Sequence, residues 1–342
     1  MKVLLYSEGY NAIKKSGVGK ALSHQMQALE RNGIDYTLDA AEPHDIIHIN
    51  TIGLRSHQLA RRAHNRGIKV VYHAHSTEED FRNSFLFTNT VSPLFRRWIT
   101  KCYSLGDCIV TPTPYAKQLI ENYGITRPII PISNGVDLEY FQRDEAQAQT
   151  FRKKFGFSPE DKVIMAVGLY IGRKGIVDFV ELAKRLPQYK FIWFGYNPLW
   201  QVPCEIRRAV KTKLPNLQFP GYIGSEELRS AYWGSDLFLF PTKEETEGIV
   251  LLEALASGCP ALIRDIPIYR DWLTDNINVY KASSVDAFAS AISDIFKGRR
   301  PPVTQAAMEV AAARSLELVG KQLKEVYERC LFGEFSNDQT VK

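Results

Sequence analysis

The 342-residue chain has no long apolar run, no cysteine framework and no strong excess of charge of either sign. Its hydrophobic stretches all fall short of the ~18–20 residues needed to cross a bilayer. The N-terminal MKVLLYSEGYN has a short apolar run but no extended hydrophobic region and no small-residue cleavage site. It therefore reads as a first β-strand rather than a signal peptide, and the expected location is intracellular. The five cysteines, Cys102, Cys108, Cys204, Cys259 and Cys330, are odd in number and scattered. They form neither a disulfide framework nor a CxxC metal pattern, which fits a reducing compartment. The net charge of +5 is only mildly basic. Such a balance suits nucleotide phosphates or acidic lipid without selecting either. Zinc-finger spacing and an aromatic RNA-binding signature are both missing, so nucleic acid is not an expected partner.

What is present is the composition of an ordinary globular protein, 45% hydrophobic and 24% charged, long enough for about two domains. Short β-branched runs alternate with amphipathic stretches. KVLLYS, DIIHIN, KVVYHAHS, DCIVTP and IIPIS read as buried strands of a first half. In GVGKALSHQMQALERNG, Leu22, Met26 and Leu29 share a helical face and Gly33 stops the helix. After a polar connection near residues 143–161, KVIMAVG, KFIWFG, NLQFPG, DLFLFPT and PALIRD repeat the pattern. Alternation of this kind predicts an α/β chain with parallel sheets covered on both faces. The expected layout is two Rossmann-like domains facing a cleft, over 1–150 and 151–310, followed by a C-terminal helix and tail over 311–342 that packs back toward the first domain. Met308 to Cys330 reads as one long helix after the polar GRRPP break. Ligands in open α/β sheets bind beyond the carboxyl ends of the strands, so the loops there are the places to search.

Four stretches stand out in those loops. SGVGKAL opens the first helix. It is not a P-loop, because Lys14 stands where the first glycine belongs and Ala21 replaces Ser/Thr, and Leu22 occupies the third glycine of a dinucleotide fingerprint. Gly17 and Gly19 would still leave amides open to an anion or sugar, or simply form a turn. In VGLYIGRKG, Arg173 and Lys174 follow a strand ending at Gly168 and precede a helix from Ile176. They could neutralise a diphosphate, or they could be a solvated basic turn. HAHSTEEDFR ends another strand; its alternation is read as sending His73 and His75 to opposite faces, with one of them toward the ligand and no metal site.

The fourth stretch, PTKEETEGIVLLEALASGCP, crowds Glu244, Glu245 and Glu247 before Gly248 and then sets Glu253 alone in an apolar helix. A helix starting near Gly248 turns its free amides and positive dipole end toward a phosphate. A carboxylate in so apolar a helix is costly to bury without strong hydrogen bonds, which vicinal sugar hydroxyls would supply. The other reading pairs Glu253 with a core amide or with Arg264.

In this order the pieces resemble glycosyltransferase family 4, retaining nucleotide-sugar enzymes of the GT-B fold. The resemblance rests on Gly17-Val18-Gly19, His75, Asn134-Gly135-Val136-Asp137, Gly168…Arg173-Lys174-Gly175, and Glu245…Glu253 framed by Pro241 and Gly258-Cys259-Pro260. It implies that Arg173 and Lys174 hold the donor diphosphate, Glu245 meets hydroxyls of the transferred sugar and Glu253 meets the ribose. Gly248, Ile249 and Val250 would offer amides, Gly17 and Val18 would close over the donor, Tyr222 would read the base and His75 would line the donor–acceptor junction. The catalytic set is thus Glu245, His75, Arg173 and Lys174. One departure is Leu169, where the family often has Arg, and Arg173 is taken as its substitute.

Within the family, HSTEEDFRNSF and FPTKEETEGIVLLEALAS look most like bacterial diglycosyldiacylglycerol synthases. That implies a UDP-sugar donor (galactose or glucose), no obligatory metal and a glucosyldiacylglycerol acceptor. Glu78, Glu79 and Arg82 then fall on the acceptor side. Phe85, Leu86, Phe87, Leu94, Phe95 and Trp98, interleaved with Arg96, Arg97 and Lys101, suit a peripheral face on an anionic membrane, or equally a core helix with a basic edge. The rival readings are a family 4 enzyme with a polyprenyl-linked or soluble acceptor, a two-carboxylate glycosidase, and a non-catalytic sugar-nucleotide binder.

Overall fold

The structure, a computed structural model, describes residues 1–14, 16–82, 84 and 88–336. Phe85, Leu86 and Phe87 of the expected membrane face lie outside the described residues. The chain divides into two compact units. One takes in Met1–Glu78, Val91–Val136 and Arg314–Lys342, the other Glu79–Thr90 and Asp137–Ala313.

The first unit is built on β1 (Lys2–Tyr6), β2 (Asp35–Thr37), β3 (Ile46–Ile49), β4 (Lys69–His73), β5 (Cys108–Thr111) and β6 (Ile129–Pro131). They form a parallel sheet in the order β2-β1-β3-β4-β5-β6. The strand order reverses at β1, so its switch point lies between β1 and β3, and ligand loops are expected to leave those strands and their neighbours. Both faces are covered, with Val3, Leu5, Val71 and Val110 in one cluster and Leu4, Ile47, Ile49 and Tyr72 in the other. Parallel strands buried on both faces read as continuous apolar runs, which is why the sequence betrays them.

The second unit carries β7 (Val163–Val167), β8 (Lys190–Phe194), β9 (Leu217–Gly221), β10 (Leu237–Phe240), β11 (Ala261–Arg264) and β12 (Tyr280–Ala282). Its parallel order is β12-β11-β10-β7-β8-β9. Here the switch point falls between β7 and β10, whose following loops carry Arg173, Lys174 and Glu245.

The described tail corrects the single long helix expected over Met308–Cys330. Thr304–Ala312 and Leu316–Leu331 are separate helices. Ser315 restarts the second one, its side chain accepting from the Leu318 amide. The break falls beside the point where the chain leaves one unit for the other, between Ala313 and Arg314. Leu316–Leu331 then packs along Gly17–Arg31. Gly320 makes that approach feasible: a Cβ there would stand 2.2 Å from the Ala28 carbonyl oxygen.

Candidate functional site

In the second unit, the chain leaves β7 through Gly168, makes a short 3₁₀ turn at Gly172–Lys174 and enters the helix Ile176–Arg185. Gly175 is left-handed, with φ 76°, and a Cβ on it would lie 2.3 Å from the Pro241 carbonyl oxygen. Only glycine allows the Arg173–Lys174 turn to press so close to the loop after β10. Two further bonds stitch the loops together: Lys243 N–H to the Arg173 carbonyl at 2.6 Å and Thr242 Oγ1 to the same oxygen at 3.1 Å.

This juxtaposition makes a compact charge cluster. Lys174 Nζ is ion-paired with Glu245 Oε1, which also accepts from Thr242 Oγ1 at 2.9 Å. Arg173 Nη1 stands 3.7 Å from Glu245 Oε2. The same guanidinium reaches Asp80 Oδ1 at 2.9 Å, Ser84 Oγ through Nε at 3.0 Å and the Glu244 carbonyl at 3.1 Å. Burial alone would raise the Glu245 carboxyl, but Lys174 and Arg173 outweigh it and hold the group below the usual carboxylate range. Glu245 is therefore an anion suited to accept from hydroxyls, not a proton donor. For Asp80 burial wins over Arg173 and pushes the carboxyl upward.

The next helix, Ile249–Ala256, starts from Gly248, whose φ of 94° suits glycine. Glu253 is wholly inaccessible, and its Oε2 accepts from Tyr232 Oη at 3.0 Å. The suggested Arg264 partner is corrected: Arg264 pairs with Asp178 and donates to the carbonyls of Pro241 and Ser283, each at 3.0 Å. Glu247, also on the loop after β10, is buried.

Sequence reasoning missed Tyr232 and Tyr269. Tyr269 is inaccessible, its Oη has no hydrogen-bond partner among the described residues, and burial followed by the charges of Glu245, Glu244 and Glu247 pushes its phenol well up. No local signal marks either tyrosine: RSAYWGS and IPIYRDW match no binding motif. Tyr222 follows β9 and is exposed.

At the first helix, Gly17 and Val18 sit in the opening turn, and the Gly19 amide is taken by the Ser16 side chain at 3.3 Å rather than left open. Glu78 is buried and accepts from Ser92 Oγ at 3.0 Å. Glu79 is half-buried and Arg82 exposed, both in the stretch assigned to the second unit. In the helix Thr88–Tyr103, Leu94, Arg96 and Arg97 are exposed, whereas Trp98 and Phe95 pack against the core and Trp98 Nε1 donates to the Ile52 carbonyl at 2.7 Å.

The expected opposite facing of His73 and His75 is overturned. Their rings stack with centroids 3.9 Å apart and planes 7° from parallel, because residues two apart on an extended strand share a face. His75 Nε2 lies 2.9 Å from Asn50 Oδ1. Among the described residues no group of three or more His, Cys, Asp or Glu side chains is arranged to hold a metal ion.

Residues 37–140 match the sequence profile described as Glycosyltransferase Family 4, and residues 147–313 match the one described as Glycosyl transferases group 1. The chain is 38% identical over 332 residues to the processive diacylglycerol alpha-glucosyltransferase of Acholeplasma laidlawii, covering 97% of this chain and 99% of that protein. It is 26% identical over 245 residues to the alpha-galactosylglucosyldiacylglycerol synthase of Streptococcus pneumoniae, covering 70% and 64% of the two chains. Among solved structures, Anabaena HepE in complex with UDP and glucose superposes with a TM-score of 0.78 at 14% identity, covering 96% and 99% of the chains. Sucrose-phosphate synthase of Thermosynechococcus elongatus gives 0.80 at 16% identity, covering 98% and 100%. At such identities these two establish the fold alone.

Proposed function

The chain belongs to the group 1/family 4 glycosyltransferases, and from that membership we propose that it moves a hexose from a UDP-sugar to a glucosyldiacylglycerol, with retention at the anomeric carbon. The observation that carries the reading is the 38% identity to a processive diacylglycerol alpha-glucosyltransferase along nearly the whole of both chains. That relative's glucosyltransferase activity also favours glucose as the sugar moved. A UDP-hexose donor has the α configuration, so an α-glycoside product means net retention.

The geometry supports a division of labour. Arg173 and Lys174, side by side at the switch point, meet the two negative charges of the donor diphosphate. The start of the helix Ile249–Ala256 adds the amides of Gly248, Ile249 and Val250 and the positive end of its dipole. These groups stabilise the charge that grows on the departing UDP. Glu245, an anion held between Lys174 and Thr242, accepts from hydroxyls of the transferred hexose and positions it without attacking it. Glu253 meets the ribose, Tyr222 stands beside the base, and Gly17 and Val18 lie along the donor. His75 meets the sugar where it is transferred, and Glu78, Glu79 and Arg82 serve the acceptor.

No helix among the described residues is long and apolar enough to cross a membrane. Access to a lipid acceptor therefore calls for peripheral binding, which we assign to the basic and apolar surface carrying Leu94, Arg96, Arg97 and Lys101. In this reading the protein works at the cytoplasmic leaflet and its side-chain cations need no metal.

The test is transfer from labelled UDP-glucose and UDP-galactose, side by side, to diacylglycerol, monoglucosyldiacylglycerol and a polyprenyl phosphate sugar in mixed micelles, with and without a chelator. Product on the glucolipid, α-linked and insensitive to chelation, is the expected result. Transfer only to the polyprenyl or a soluble acceptor refutes the lipid assignment, and UDP binding without any turnover refutes the catalytic one.

A further inference from the structure

Behind His75, the first unit holds a connected set of buried polar side chains from four separate segments. His48 Nε2 lies 3.2 Å from His73 Nδ1, and His48 Nδ1 lies 2.7 Å from Tyr327 Oη on the C-terminal helix. Gln25 Nε2, from the first long helix, is 2.7 Å from His48 Nδ1. Gln25 Oε1 accepts from Asn50 Nδ2 at 2.9 Å, and Asn50 Oδ1 is the atom 2.9 Å from His75 Nε2. His48, Asn50, His73 and Gln25 are all at most 5% exposed.

The direction of this chain has a chemical consequence. The Asn50 amide nitrogen is spent on Gln25, so the oxygen facing His75 can only accept. His75 must then carry its proton on Nε2. A neutral imidazole has one ring proton, so Nδ1 keeps a bare lone pair, and that nitrogen has no hydrogen-bond partner among the described residues. A second proton is disfavoured, since burial pushes the His75 ring down to about 3 and His73 is stacked on it. The other titratable groups in the set are His48, His73 and Tyr327, all uncharged at neutral pH: burial holds the His48 imidazole at about 3 and the His73 imidazole well below its ordinary value, and drives the phenol far upward.

We propose that Asn50, oriented by Gln25, is a positioning residue that fixes His75 as the neutral ring protonated on Nε2, so that Nδ1 accepts a hydrogen bond from a hexose hydroxyl. The inference rests on the reading of His75 as a sugar contact. It specifies that the ligand atom opposite Nδ1 brings a proton, which a hydroxyl does and a phosphate oxygen does not.

Nitrogen NMR of ring-labelled histidine in the intact protein, with a His75→Ala sample for assignment, reads the tautomer directly. The expected spectrum has a bare Nδ1 and a protonated Nε2 at His75, constant from about pH 5 to 8. Asn50→Leu should mix the tautomers and lower kcat by about 10–100-fold, taking as a guide the range seen when the outer hydrogen-bond partner of a metal-ligating imidazole is removed, with a smaller change in the donor KM. Asn50→Asp retains an acceptor for Nε2–H, so it should keep the tautomer and restore most of kcat. Should the leucine variant not fold, the parent and aspartate spectra still decide. A proton on Nδ1 in the parent, or a leucine variant with unchanged tautomer and kcat, overturns the proposal. If His75→Ala transfers hexose at the parental rate while the parent spectrum is as expected, the sugar contact is what fails and the Asn50 geometry is not.

Discussion

Glu253 offers the sharpest test of how the donor is held. Its carboxylate is inaccessible, sits on the second turn of a helix whose start faces the proposed phosphate position, and is oriented by Tyr232 Oη at 3.0 Å. A hydrogen bond to a charged acceptor contributes ~1.5–3 kcal/mol, so losing one ribose hydroxyl bond should cost ~10–150-fold in UDP affinity. Glu253→Gln keeps the volume and a carbonyl for the hydroxyl but removes the charge. Because charge-assisted bonds are roughly twice as strong as neutral ones, that change should cost about 1 kcal/mol, or ~5-fold. Glu253→Ala removes the acceptor altogether and should show the full loss, while Tyr232 retains the Val250 carbonyl at 3.1 Å. Titration calorimetry with UDP alone isolates this from chemistry, and thermal unfolding of each variant confirms that it is folded. Glu245→Gln is the counterpart: it should lower kcat, since its proposed contacts are to the hexose, and should not weaken UDP binding, because the carboxylate it removes is paired with Lys174 and Arg173. A folded Glu253→Ala that binds UDP like the parent would refute the ribose assignment and leave Glu253 a buried partner of Tyr232 and nothing more.

Two further outcomes follow from the same geometry. Asp80 holds Arg173 Nη1 at 2.9 Å, and a carboxylate and a phosphate ~5 Å apart repel by ~3 kcal/mol at an effective dielectric constant of ~20. Loop relaxation will relieve part of that, so Asp80→Asn should tighten UDP by about 3- to 30-fold in the same calorimetric assay; weaker binding would mean that Asp80 orients Arg173 rather than competing for it. The second outcome concerns pH. His48, His73 and His75 stay neutral when folded, His48 and His75 at about 3 and His73 well below its ordinary value, all through burial, with a neighbouring imidazole adding to it at His48 and His73. Unfolded, each protonates near ~6.5. The unfolded chain therefore binds more protons below that pH, so the stability of the first unit is complete above it and falls on acidification with a slope approaching three protons. Glu245 has the opposite sign of cause but the same direction, its contribution present above ~4.3 and lost only as pH falls through its lower folded value. Urea midpoints that stay flat between about pH 7 and 5 would contradict the buried neutral imidazoles.

Ten of the strands could be read from apolar runs: eight lie inside their sheets and are buried on both faces, while β6 and β9, at sheet edges and only partly buried, still carry apolar residues in IIP and LQF. The two that were missed, β2 with DYT and β12 with YKA, are three residues long and sit at sheet edges, where one side lacks a partner and no apolar run is needed. Arg173, Lys174, Glu245 and Glu253 were legible for a related reason. They lie on the two loops that flank one switch point and on the helix that follows, so short motifs carry them.

The set around His75 had no such signature. His48 sits in the strand IIHI, where nothing local distinguishes a satisfied core histidine from a ligand, and its partner Tyr327 is 279 residues away. Gln25 and Asn50 look like ordinary polar residues of a helix and a strand end until the fold brings them 2.9 Å apart. Periodicity reports which face of an element is buried, but not which distant polar group will answer a buried one. A hydrogen-bond chain assembled from four segments is therefore invisible to motif reading, however specific its geometry. The opposite facing assigned to His73 and His75 has a simpler cause, a misapplied period: residues two apart on a strand share a side, and their rings, stacked at 3.9 Å, lie on the side occupied by the network. The motif therefore identified the residue proposed to meet the sugar, whereas the groups proposed to decide which of its nitrogens carries the proton come from parts of the chain the motif does not contain.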